Sequence, residues 1–405
     1  MKLLLINQYA STPEYGFGGR VYYLAKALSE KGHEVTVVAS ANHHLLTLKK
    51  DSKTTVETEL ITESFKFVWL KTLNYKKANS LLRVVNWFVF LIQLIFYRKH
   101  LNPKADVILF SSPSLIPFIG ARVLAFIWKS KLILDVRDIW PLTLKKLGNH
   151  SSKHPLVLLM RWIEKYAYAN SDVITSNLPG FNKYLDEQQQ KTAPNWYIPN
   201  GISVSEMESD SGCLGRQFDH LPRDKFLVGY VGTHGLANNL EVLLKAAKIL
   251  IGNSNIHFVL VGNGAEKKNL QTYVQEHGLD NVSFLDSVSK HQVASVLSIF
   301  NALYIGWRES SLYEYGIAAN KIPEYIYSGK PILHSYSGKF DVIAENNLGF
   351  TVGSNDVEAL AKKVIEISQL NESQINEFQI SNRDYALQHR DYKQIASLFE
   401  SEILN

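Results

Sequence analysis

Several things are scarce or missing in this 405-residue chain, and each absence narrows what it does. A single cysteine, Cys213, excludes an internal disulfide framework and a cysteine-based zinc cluster, and fits a reducing cytoplasm. No Asp-x-Asp triplet exists to hold a divalent ion on a diphosphate. No apolar run reaches the roughly 20 residues of a membrane-spanning helix. The N-terminal LLLI is too short for a secretory leader and reads as a first β-strand. Acidic residues are absent from Ser64 to Ala105, a stretch that holds Lys66, Lys71, Lys76, Lys77, Arg83, Arg98, Lys99 and Lys104. Aromatic and basic residues do not interleave there as a base-stacking platform requires, so nucleic acid is not the expected partner.

What is present is the composition of a globular protein, 46% hydrophobic and 20% charged, long enough for two domains. Short apolar runs alternate with helical patterns from Leu3 onward, which predicts an α/β protein with doubly wound parallel sheets. The first half closes near Asn200-Gly201 after strands at Leu3–Ile6, Val35–Ala39, Phe67–Leu70, Val107–Phe110, Lys131–Leu134 and Val173–Ser176; residues 41–64 read as a polar excursion. A second alternating run starts at Phe226. The expected organisation is an N-terminal domain 1–203, a linker 204–225, a C-terminal domain 226–388 and a last helix in 389–405.

Within the basic stretch, Leu81 to Phe96 is apolar except for Arg83, Asn86 and Gln93, whose spacing places them on one narrow helical stripe. The expectation for 81–97 is a helix lying in a membrane interface, with Trp87 and the basic flanks toward anionic headgroups. A buried helix of the N-terminal domain is the alternative.

Leu312 to His334 reads as a glycine turn, a helix capped by Asn320, and a buried strand after Gly329. Backbone N–H groups from Gly316 and Ile317 to Lys321 suit a diphosphate, and Glu324 in the helix suits the hydroxyls of a ribose. An ordinary capped helix with a first-turn carboxylate is the plainer reading.

Four other stretches carry polar chemistry. Gly18-Gly19-Arg20 opens the first long helix, as a ligand loop or as a tight turn. Asp135 to Pro141 follows a strand at its carboxyl end, where doubly wound sheets place ligands; a satisfied Asp–Arg pair is the alternative. Gly232-Thr233-His234 ends the first strand of the second half and offers N–H groups to phosphate. Gly262 and Gly264 form a further turn entering a helix with Lys267 just beyond. Lone histidines such as His257 and His291 read as structural.

The run Gly316 to Ile332, GIAANKIPEYIYSGKPI, resembles the sugar-nucleotide signature of retaining glycosyltransferases of family 4, which have the GT-B fold of two Rossmann-like domains facing a cleft. Most of that family carries a Glu eight positions before the second Glu, where this chain has Gly316. The pattern of Tyr, Gly, Ile, two small residues, Asn and Lys is similar to a subgroup that includes bacterial L-fucosamine transferases of the WbuB type, from surface-polysaccharide assembly.

The resemblance implies a UDP-sugar donor, a lipid-linked saccharide acceptor, no metal or other cofactor, and a peripheral place on the inner face of the membrane. By resemblance, the Gly18 loop meets the donor phosphates and the acceptor, and Asp138, supported by Arg137, orients the sugar or the acceptor hydroxyl. Gly262 and Gly264 lie in the base-binding loop. The basic residue that usually follows the Gly232 turn is missing, so Arg308 or Lys321 is expected to supply its charge. The last helix is expected to return to the first domain. A sugar-nucleotide epimerase of the same fold and a non-catalytic membrane-tethered assembly partner are the rival expectations.

Overall fold

The computed structural model describes all residues except 49, 51–53, 76–79, 102–103, 141, 144–150, 152, 189–192, 210–213 and 405. Lys76 and Lys77 of the basic stretch, Pro141 and Cys213 lie outside the described residues. The chain forms two compact units, residues 1–201 with 392–405, and residues 202–391.

The first unit is built on eight strands: β1 (Lys2–Ile6), β2 (Glu34–Ser40), β3 (Val56–Thr62), β4 (Phe65–Leu70), β5 (Val107–Ser111), β6 (Lys131–Val136), β7 (Val173–Ser176) and β8 (Asn195–Tyr197). Their order is β3-β4-β2-β1-β5-β6-β7-β8. All neighbours run parallel except β3 and β4, which are antiparallel. The central strands are continuous apolar runs because helices cover both faces of a parallel sheet. β3 adds a strand within the polar excursion read at 41–64. Its sequence VETELIT alternates, as an edge strand with one wet face does, and so lacks the apolar run that marks its neighbours.

The chain returns to this unit at Tyr392. Tyr392, Ile395, Phe399, Ile403 and Leu404 are buried in its core, and Tyr392 stacks on Tyr23 with ring centroids 5.5 Å apart. Each such burial contributes roughly 1.5–3 kcal/mol. Glu400 holds Lys31 at 2.9 Å and His33 at 3.0 Å, fixing the end of this segment.

The second unit carries β9 (Phe226–Val231), β10 (Ile256–Val261), β11 (Val282–Leu285), β12 (Ala302–Gly306), β13 (Ile332–Ser335) and β14 (Gly349–Val352), all parallel in the order β11-β10-β9-β12-β13-β14. Apolar clusters fill both sides of this sheet. The segment expected as a linker belongs here instead. It contains the helix Val204–Glu208, and Met207, Phe218 and Leu221 are buried in the core, three apolar anchors too far apart to show a period.

The helix Leu81–Phe96 forms as expected, capped by the Ser80 hydroxyl accepting from Leu82 N–H, but its faces are reversed. Asn86 is fully buried and exchanges bonds with the Leu73 backbone at 2.6 and 2.8 Å, and Gln93 donates to the Lys71 carbonyl at 2.5 Å. Arg83 donates to Tyr9 Oη at 3.0 Å, and Trp87, 2% exposed, does so at 2.7 Å. The polar stripe therefore faces the unit. Leu81, Val85, Phe88, Ile92 and Phe96, spaced four, three, four and four apart, form the exposed stripe, with Leu81 at 85% and Phe96 at 74%. Among the described residues no helix is long and apolar enough to cross a membrane.

Candidate functional site

The strongest concentration of polar chemistry in the second unit lies where β9, β10 and β12 end. Gly232 follows β9 with φ +152°, a conformation suited to glycine, and a Cβ there would lie 3.3 Å from Lys321 Nζ. Lys321 opens the helix Lys321–Tyr327 and reaches over this turn. Its amine donates to Tyr230 Oη at 2.9 Å and Asn238 Oδ1 at 2.8 Å, and sits 4.3 Å above the Tyr230 ring. Among the described residues no carboxylate pairs with it. Burial therefore pushes its pKa down to about 7. A basic group from 89 residues later in the chain thus stands at the Gly232 turn. Arg308, the other residue expected here, is exposed, and its backbone N–H donates to Ala237 O at 3.3 Å.

Trp307 walls Lys321 at 5.9 Å and donates its indole N–H to His334 Nε2 at 3.1 Å; His334 in turn holds Asp341 through Nδ1 at 2.9 Å. This chain was not legible in the sequence, because its members are spread over Trp307 to Asp341 with no motif spacing.

His234 is fully buried beside this turn, and neither ring nitrogen has a partner among the described residues. Burial, then the charges of Lys267 and Lys321, lower its pKa to about 4, so the ring is neutral at physiological pH. Thr233 is exposed, and its carbonyl accepts from Tyr230 Oη at 2.7 Å. Gly262 and Gly264 are required by the packing of the turns. A Cβ on Gly262 would lie 2.0 Å from Gly232 O, and one on Gly264 2.3 Å from His234 O, so these glycines let two loops pack backbone to backbone.

The glycine turn before Lys321 is as expected: Gly316 takes φ +91° and ends the 3-10 turn Ser311–Tyr315, and Ile317 packs against the core. Asn320 departs from expectation, because its side chain makes no cap bond and its backbone is already helical. Glu324 departs too. Its carboxylate is paired with Lys290, whose amine burial lowers to about 8 while Glu206 pulls it upward. The pair engages Oε1 of Glu324, and nothing in the lone lysine of Ser289-Lys290-His291 marks that partner.

In the first unit, Gly18 and Gly19 take φ +63° and +82°, a turn only glycine adopts without strain. Arg20, expected to meet substrate, is fully buried. It pairs with Asp135 at 3.1 and 3.3 Å and donates to the Pro199 carbonyl. The first residue of a helix projects backward onto the sheet it leaves, which aims Arg20 at the end of β6. Burial alone would raise the Asp135 pKa; Arg20 and the Ser111 hydroxyl, donating at 2.8 Å, overcome it and hold the carboxylate low. The Asp–Arg pair of this loop is therefore Asp135 with Arg20. Arg137 is half-buried, its backbone N–H on Ser112 Oγ at 2.9 Å and its Nε without a partner among the described residues. Asp138 is solvent-accessible yet densely surrounded, which raises its carboxyl pKa against the pull of Arg137.

Comparison with known proteins agrees with this architecture. Residues 16–206 match the model "Glycosyltransferase Family 4", and residues 216–379 match "Glycosyl transferases group 1". The chain is 25% identical over 309 residues to the putative colanic acid biosynthesis glycosyl transferase WcaI of Escherichia coli strain K12, covering 74% of this chain and 75% of that one. It is 22% identical over 239 residues to the capsular polysaccharide biosynthesis glycosyltransferase CapM of Staphylococcus aureus, covering 57% of this chain and only 56% of that protein. Among solved structures, sucrose-phosphate synthase from Thermosynechococcus elongatus superposes with a TM-score of 0.75 at 18% identity, covering 99% of this chain and 97% of that one. Anabaena HepE, in complex with UDP and glucose, gives 0.67 at 14% identity over the whole of both chains. With one glycosyltransferase model on each half and two Rossmann-like units beneath them, the chain is a GT-B glycosyltransferase of the group 1, family 4 type.

Proposed function

We propose that this enzyme transfers an N-acetylated (deoxy)hexosamine such as L-FucNAc, with retention, from a UDP-sugar to a lipid-diphosphate-linked saccharide of O-antigen or capsule assembly, while docked on the inner face of the membrane. The observation that carries the reading is Lys321, a cation held at a glycine turn, among the described residues, by neutral acceptors only. Such a cation gains most from an anion that enters and shares its site. A donor diphosphate is that anion, and as it leaves the sugar its growing charge is what Lys321 stabilises. The UDP in the Anabaena neighbour and the polysaccharide roles in the names of the two relatives support the choice of donor and product class. No divalent ion is needed in this scheme, so EDTA is expected to leave the rate unchanged.

For the membrane, the support is the exposed apolar stripe of Leu81–Phe96, joined by Phe126, Ile127 and Trp162 on neighbouring helices and flanked by Arg98 and Lys99. Asp138, with Arg137 beside it, is assigned to orient the acceptor hydroxyl. The test is transfer from UDP-, GDP- and ADP-linked sugars to a lipid diphosphate saccharide, with the anomeric configuration of the product read by NMR. Turnover with UDP-activated hexosamine and a retained anomer is expected; preference for GDP or ADP donors, or an inverted product, would sink the corresponding part.

A further inference from the structure

The buried side of the Leu81–Phe96 helix faces a cluster that the donor chemistry does not use. Tyr9 follows β1, His44 follows β2, Tyr75 follows β4 and Trp140 follows β6, so all four stand at the carboxyl edge of the first unit's sheet, where doubly wound folds bind ligands. Into this group Arg83 inserts from the first turn of the helix. Its guanidinium lies 5.3 Å from the Tyr9 ring centre, 5.8 Å from Trp87 and 5.4 Å from Trp140. Tyr75 Oη and His44 Nδ1 are 3.1 Å apart. Burial, then the charge of Arg83, lowers the His44 pKa to about 4, so the imidazole brings no second charge at neutral pH. Trp140 is 92% buried, and its indole N–H has no partner among the described residues. An uncommitted buried donor costs free energy unless something accepts from it.

We propose that this aromatic cluster is the acceptor's headgroup site, with Arg83 and the Trp140 indole N–H binding the diphosphate of a lipid-linked saccharide. The assignment rests on the transferase reading above and names the residues of its acceptor side. One cation among ring faces suits an anion attached to an apolar chain. The helix that carries Arg83 also carries the exposed stripe of Leu81, Val85, Phe88, Ile92 and Phe96 on its other side. A single element thus offers an apolar face to lipid and a cation to the phosphate at the lipid's head.

The test titrates the full chain with geranyl diphosphate, a soluble lipid diphosphate, by calorimetry, with UDP measured in parallel. Wild type is expected to bind geranyl diphosphate more tightly than geranyl monophosphate or inorganic pyrophosphate. Arg83→Gln is expected to lose at least about tenfold of that affinity, the size of a charge-assisted hydrogen bond, with UDP affinity unchanged. Because Arg83 also bonds Tyr9 and its loss can unsettle the fold, Trp140→Phe gives an independent reading; it removes an N–H that has no partner among the described residues and is expected to weaken geranyl diphosphate several-fold. Unchanged affinity in both variants overturns the site. Equal binding of inorganic pyrophosphate overturns the lipid-linked assignment. A wild type that binds UDP but no geranyl diphosphate overturns this site alone, whereas one that binds neither takes the donor reading with it.

Discussion

Arg20 and Lys321 stand in the same local setting and do opposite things. Each opens a helix shortly after a glycine with positive φ, Gly19 in one unit and Gly316 in the other. Arg20 is met by a carboxylate, two hydroxyls behind that carboxylate and a carbonyl, all buried. Lys321 is met by a phenol and an amide oxygen, with no charge of opposite sign among the described residues. A cation whose charge is already balanced holds the fold together. One whose charge is left unbalanced has more to gain from a ligand, and this difference of partners, not the glycine turn, separates the scaffold from the proposed site.

The largest effect should come from breaking the balanced side. Asp135→Asn leaves Arg20 buried without its counter-charge and is expected to cost about 3–5 kcal/mol of stability, measured by urea unfolding. The pH dependence follows from the depressed carboxyl. Its stabilisation is present above the unfolded pKa of about 3.9 and is lost as pH falls through the lower folded value. The gap between wild type and variant should thus be constant from about pH 5 to 8 and close only in acid. A gap below about 1 kcal/mol at pH 7 would mean the pair is not the anchor of this loop.

On the unbalanced side, Lys321→Met removes a charge that burial penalises. Stability should be unchanged or higher, while UDP affinity falls by about tenfold to a hundredfold, corresponding to 1.5–3 kcal/mol for a charged hydrogen bond. Calorimetry and thermal unfolding on the same sample separate the two. A variant that loses stability without losing UDP would place Lys321 with Arg20.

The pKa of about 7 sharpens this further. A bound diphosphate raises it, so binding near and above pH 7 draws a proton onto Lys321, and UDP affinity should fall as pH rises from about 7 by up to tenfold per unit. Calorimetry in two buffers of different ionisation enthalpy measures the uptake directly. Absence of uptake at pH 7.5 would show that Lys321 does not face the phosphates.

The contrast between these two basic residues was only half visible in the sequence. The parallel strands were legible because buried β runs such as LLLI and VILF stand out between polar turns, and the glycines at 232, 316 and 329 marked real turns. Arg20 was misjudged because its partner Asp135 lies 115 residues away, and no local pattern encodes a tertiary ion pair. Lys290 was missed for the same reason, since its pairing with Glu324 joins a 3-10 turn to a helix more than 30 positions later. The 81–96 helix was found by its period, yet periodicity cannot say which of two apolar faces is inside. That choice fell to the backbone groups of Lys71 and Leu73, which bond Gln93 and Asn86.

That helix extends the same logic to apolar groups and yields the smallest expected change in stability. Trp87 and Phe88 are neighbours in sequence, but Trp87 is packed against Trp140 with ring centroids 5.6 Å apart, whereas Phe88 faces outward. Trp87→Ala should cost about 3–5 kcal/mol, as large core truncations do. Phe88→Ser with Phe96→Ser should stay within about 0.5 kcal/mol of wild type in unfolding, because neither ring is committed to the core. The same double variant should lose co-sedimentation with anionic vesicles if the stripe enters lipid. Reversing Arg98 and Lys99 to Glu should weaken that binding by about 1 kcal/mol for each charge removed, an effect that high salt abolishes. Vesicle binding that survives the serine pair but disappears in salt would make the attachment purely electrostatic, leaving the exposed stripe without lipid as its partner.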